Sequence, residues 1–188
     1  INAPQNAGYI DFSPETNLVV SAGSASITIF DIEAGIVKAV LSRPYKYATG
    51  PNTTDYYWNG KVTFSADGKY IIGKYQNSLA RWDWRNAPDK PEIIIGDLGN
   101  RAIIGFSPDK KYMVQQSNYL WDLQQGKQIS IEGLTGYESE TAYGFASTIG
   151  SSCMVVTEPV NHTPQFINLN NKKVLTTSPL KYVVVMSI

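Results

Sequence analysis

An aromatic or apolar residue followed by an acid recurs along this chain: Phe30-Asp31, Trp82-Asp83 and Trp121-Asp122, with Ile167-Asn168 as a degenerate fourth. A carboxylate fixed at a repeated place can serve acid–base chemistry or hold a metal, provided a second chemical group stands beside it. Here the neighbours point elsewhere. Gly35 and Gly126 follow Asp31 and Asp122 by four positions in "FDIEAGIVKAV" and "WDLQQGKQISI". An aspartate that bonds the backbone ahead of it, with a glycine in the left-handed region, is the chemistry of a tight turn. Turn capping is therefore the expected role of these acids.

Other reactive types are sparse. His162 is the sole histidine and has no acidic cluster nearby, so it reads as a loop residue rather than a metal ligand. Cys153 is the sole cysteine, which excludes an internal disulfide and a cysteine-rich zinc site. Its setting, "CMVV", suggests a buried thiol. No Gly-x-Ser-x-Gly elbow and no phosphate-cradling glycine loop is present, and a lone histidine argues against a serine triad. Asn52-Thr53-Thr54 and Asn161-His162-Thr163 match glycosylation acceptors, which matter only in a secretory pathway. The chain is expected not to be an enzyme, and neither a cofactor nor a metal is expected.

The richest contact chemistry lies in "RPYKYATGPNTTDYYWNG", from Arg43 to Gly60. Tyr45, Tyr47, Tyr56, Tyr57 and Trp58, with Arg43 and Lys46, supply large rigid contact area at low entropy cost. Tyr57 and Trp58, next to the following strand, are the ones expected to fold back over it. A second stretch, "GLTGYESETAYG", offers Tyr137, Glu138 and Glu140. A basic aromatic loop beside an acidic one suits a polar peptide. Arg101 precedes an inner strand and points either into a central channel or into an ion pair.

These residues need a frame. The 188 residues carry 16 basic and 16 acidic side chains, so no net field recruits nucleic acid or an anionic membrane. No apolar run approaches the roughly 20 residues of a membrane-spanning helix, and no signal peptide is visible. The chain begins at Ile1 rather than Met, from which removal of an upstream segment is expected; the compartment stays open, with the cytoplasm the default.

The frame is a repeat. Phe12-Ser13-Pro14, Phe64-Ser65-Ala66, Phe106-Ser107-Pro108 and Phe145-Ala146-Ser147 recur at intervals of about 40 to 50 residues, and each precedes one of the aromatic–acid pairs. Each unit reads as four short strands. In the second, "KVTF" is followed by a turn at Ala66-Asp67-Gly68, then "KYIIGKY", a turn at Gln76-Asn77-Ser78, "LARWDW", and "EIIIG". Alternation puts Leu79, Arg81 and Asp83 on one side and Ala80, Trp82 and Trp84 on the other.

This grammar resembles WD repeats, the blades of a β-propeller, over about Tyr9 to Thr176. The Gly-His pair of that family is absent, so its Asp-His-Ser-Trp hydrogen-bond network is not expected. The resemblance implies an all-β fold of four-stranded antiparallel blades at about 9–42, 61–96, 102–131 and 143–176, with an extra strand at 181–187. It implies a non-catalytic scaffold that presents loops to a protein or peptide partner. The alternatives are a ligand sensor or enzyme using the central funnel, with Asp11, Lys61, Arg101 and Tyr143 as its polar residues, and a structural half-propeller completed by a partner chain. Four blades close a small ring alone, belong to a larger propeller, or pair with a second copy as a homodimer. An open half-ring leaves apolar blade faces that demand a partner.

Overall fold

The computed structural model describes residues 9–13, 16–23, 26–42, 61–99, 101–107, 109–115, 119–130, 146–149, 153–157, 164–169 and 171–177. They form sixteen strands in four antiparallel sheets of four. In each sheet neighbours in space are neighbours in sequence, a meander that needs only hairpin connections. The chain divides into two compact units, Ile1–Ala102 and Ile103–Ile188, with two sheets in each.

The first unit holds β1 (Tyr9–Phe12), β2 (Leu18–Ala22), β3 (Ser26–Asp31) and β4 (Ile36–Ser42), then β5 (Val62–Phe64), β6 (Tyr70–Tyr75), β7 (Ser78–Asp83) and β8 (Ala87–Ile95). Register explains how they pack. Asp11, Val20, Ile29 and Ala39 stand opposite one another across β1 to β4, as do Tyr9, Ala22, Ile27 and Leu41, so both rows share one face. On the second sheet Val62, Gly73 and Ala80 form one such row, and Phe64, Ile71 and Trp82 the next. The two faces merge into a single core containing Val20, Ile27, Ile29, Leu41, Val62, Phe64, Ile71 and Trp82. Sheet packs on sheet, with β1 beside β5 at one side and β4 beside β8 at the other.

Gly73 lets the second sheet close up. A Cβ there would lie 2.8 Å from Val62 Cγ1, closer than real side chains come. The alternation read in "LARWDW" is present, yet Leu79 is as buried as Ala80 and Trp82, whereas Arg81, the next residue on its side, is only half-buried. The outermost strand differs from expectation. It begins at Ala87 rather than near Glu92 and runs through Pro91, which an edge strand tolerates because its outer N–H groups have no ladder to join.

The second unit holds β9 (Ile103–Phe106), β10 (Tyr112–Gln115), β11 (Tyr119–Asp122) and β12 (Lys127–Ile129), then β13 (Ala146–Ile149), β14 (Cys153–Thr157), β15 (Pro164–Asn168) and β16 (Lys173–Thr177). The first strands of its sheets, β9 and β13, lie side by side. Val114, Leu120, Ile167 and Leu169 form its described core, flanked by Tyr112, Ile129 and Val174. No helix among the described residues is long and apolar enough to cross a membrane.

Candidate functional site

Most sequence-selected contact residues, Arg43, Tyr45, Lys46, Tyr47, Tyr56, Tyr57, Trp58 and Tyr137, lie outside the described residues. So do Glu138, Glu140, Tyr143, His162, both glycosylation-type triplets and the 181–187 segment. Cys153 stands in β14. The structure does fix where residues 43–60 are attached: between β4, the last edge strand of the first sheet, and β5, the first edge strand of the second.

The repeated acids are turn builders. Asp31 Oδ1 accepts the Ala34 N–H at 2.9 Å, and Asp83 Oδ1 the Asn86 N–H at 3.1 Å. Asp122 Oδ1 accepts from the N–H groups of Gln124 and Gln125. Gly35 and Gly126 close two of these turns at φ 68° and 62°. The bond from Ala34, followed by the nearby Lys38, holds the Asp31 carboxyl below the usual carboxylate range. The Asn86 side chain and backbone do the same for Asp83.

A second recurrent turn sits between the first and second strands of two sheets. Ser65 Oγ donates to Asp67 Oδ1 at 2.6 Å and accepts the Tyr70 N–H at 2.9 Å. Ser107 and Asp109 repeat this with the Tyr112 N–H at the same distances. The Ser65 hydroxyl, with the Lys69 N–H, lowers the pKa of Asp67, and Gly68 takes φ 65° as the turn requires.

Asp11 works across sheets. Its Oδ2 accepts from the Thr63 hydroxyl at 2.6 Å and from the Phe64 N–H at 3.1 Å, tying β1 to β5. A free sheet edge would leave that N–H without a ladder partner, and the carboxylate provides one. Lys61 lies close by, its Nζ 5.5 Å from the centre of the Tyr9 ring, and burial pushes its pKa down. Asp11 and Lys61 therefore gather at the β1–β5 edge. Arg101 is exposed, and its carbonyl, together with that of Gly99, accepts from Lys74 Nζ at 3.0 Å.

Lys74 escaped the sequence reading. Only 5% exposed within an apolar strand, it is satisfied by main-chain oxygens that no spacing pattern signals. Trp82 is fully buried and meets Tyr75 edge-on at 6.0 Å, while its indole N–H finds no acceptor among the described residues. Arg81, by contrast, is on the surface, paired with Glu92 at 2.8 Å and stacked over Tyr70. Among the described residues no group of three or more His, Cys, Asp or Glu is placed to hold a metal.

No family model and no curated protein matches the chain. Solved structures do. A structure of U3-55K matches at TM-score 0.63 and 15% identity over 93% of this chain and 52% of the other. Hydrazine synthase from Kuenenia stuttgartiensis matches at TM-score 0.63 and 13% identity over 94% of this chain and 50% of its own. The chain thus spans about half the length of these structures. At such identities the likeness concerns the fold, a propeller-like all-β arrangement of four-stranded sheets.

Proposed function

We propose that this propeller-like frame is a non-catalytic recognition module of the WD-repeat kind, whose inserted segment at residues 43–60 engages a protein or peptide. The observation that carries this reading is where the polar chemistry is spent. Asp11, Asp31, Asp67, Asp83, Asp109 and Asp122 accept from turn backbones, turn hydroxyls or the next sheet's inner strand. Carboxylates engaged in holding strands together serve positioning rather than turnover. Rigid strands at both ends of the insertion then display Tyr45, Tyr47, Tyr56 and their neighbours, as loops on rigid scaffolds commonly do.

The test is a panning of phage-displayed random peptides on the immobilised chain, followed by titration of the recovered peptides. Replacing both Tyr47 and Tyr56 by alanine is expected to weaken those peptides by about tenfold or more, the loss typical of interface aromatics. The melting temperature should stay that of the parent. Parallel loss of folding and binding would put the two tyrosines in the core and overturn the reading.

A further inference from the structure

Lys74 gives its ammonium to the Gly99 and Arg101 carbonyls at 3.0 Å, and Lys38, Lys69 and Lys111 pair with Asp31, Asp67 and Asp109. Lys61 differs. Its side chain is half-buried, yet its Nζ makes no ion pair or hydrogen bond with any described residue. The Nζ stands 5.5 Å from the centre of the Tyr9 ring, a face that attracts a cation but cannot take the three N–H bonds an ammonium offers. Asp11, the acid of that edge, is spent on the Thr63 hydroxyl and the Phe64 N–H. Burial alone lowers the Lys61 pKa, so water has been lost and no acid has replaced it. A charge in such a position is ordinarily paired.

We propose that Lys61 Nζ is the seat of a carboxylate from the bound peptide, so that the partner presents an aspartate or glutamate there. This rests on the reading of residues 43–60 as the segment that engages a peptide, and it names what that peptide must carry. Position supports it. Lys61 is the residue that directly follows the insertion and leads into β5, so a peptide held by that segment meets the ammonium where the segment joins the sheet. The charge selects the ligand. One compact ammonium balances one carboxylate, whereas a doubly charged phosphate calls for further donors, such as the fork of an arginine. The Tyr9 ring beside it offers the carbon atoms of an acidic side chain an apolar surface. An ammonium kept for stability alone has acceptors of its own, as Lys74 does.

Phage-displayed random peptides are panned in parallel on the parent and on Lys61→Met, which keeps an apolar stem and drops the charge. Peptides selected on the parent are expected to share an acid at one position, and those selected on the variant to lack it. Exchanging that acid for its amide should weaken binding to the parent at least about tenfold, the size of a hydrogen-bonded charge pair, and leave binding to Lys61→Met unchanged. The unliganded variant should melt no lower than the parent, since it sheds a half-buried charge that has no partner. Parent-selected peptides with no shared acid, an amide exchange that costs the same on both chains, or a variant that melts well below the parent would overturn the proposal. The two readings fail separately. Peptides that need Tyr47 and Tyr56 but ignore Lys61 remove the carboxylate seat alone. Peptides that ignore both tyrosines, or a panning that recovers none, remove the role of residues 43–60, and the seat that rests on it goes too.

Discussion

Asp11→Ala removes the only carboxylate oxygen seen to bridge β1 and β5 among the described residues. It deletes the acceptor of the Thr63 hydroxyl at 2.6 Å and of the Phe64 N–H at 3.1 Å. Hydrogen bonds to a charged group contribute about 1.5–3 kcal/mol each, and a buried donor left unpaired costs about 1–3 kcal/mol. The two losses do not simply add. Thr63, 2% exposed, keeps a 3.2 Å contact from its hydroxyl to the Phe64 carbonyl, so the N–H bears most of the penalty. A net loss of about 2–4 kcal/mol is expected, and about 1 kcal/mol for Asp11→Asn, which keeps a neutral acceptor. For a unit of this size the alanine variant should melt at least about 8 °C lower. Urea unfolding of Asp11→Ala, Thr63→Val and the double variant apportions the effect, with an expected coupling of about 1–2 kcal/mol. If Asp11→Ala stays within about 0.5 kcal/mol of the parent, or Thr63→Val costs the same in both backgrounds, the tie does not support the fold. Asp11 would then be open again to a chemical role.

Gly73→Ala should cost about 1–3 kcal/mol in the same assay, because the new Cβ meets Val62 Cγ1 at 2.8 Å. Part of the loss should return on adding Val62→Ala; no recovery would mean the backbone, not Val62, refuses the methyl group. The turn acids predict an acid response. Asp31, Asp67 and Asp83 have folded-state pKa values below the unfolded 3.8, so their stabilisation is complete above that value and is lost as pH falls through the lowered ones. The triple change of Asp31, Asp67 and Asp83 to asparagine should therefore flatten the decline of the urea midpoint between about pH 5 and pH 2; an unchanged slope would assign acid sensitivity to other groups.

The strands and turns were legible because their chemistry is local. Ser65, Asp67 and Gly68, or Asp122 and Gly126, act within five residues of one another, and the sequence displays them together. The start of β8 was not, since Pro91 and the charges around it have the composition of a loop; only the strand's place at a sheet edge makes them acceptable. The Asp11 tie joins residues 52 positions apart, and Lys74 finds its acceptors 25 and 27 positions away. Spacing within a repeat cannot announce partners that belong to the next one. The alternation of Ile10 and Phe12 was visible, whereas which face of β1 would be covered depends on where β5 arrives.

The meander has a kinetic consequence. Every strand ladder joins sequence neighbours, so each sheet can form through short loop closures that cost little entropy and proceed quickly. Docking the first sheet on the second instead waits for β1 to find β5 across the 43–60 insertion. Lengthening that insertion with flexible residues should thus leave the sheets' own formation untouched and slow the assembly of the first unit's core only slightly, since each doubling of loop length adds only about 0.6 kcal/mol. Nature can vary the segment between these two sheets at small expense to folding, which is where a repeat protein has most freedom to acquire a new partner.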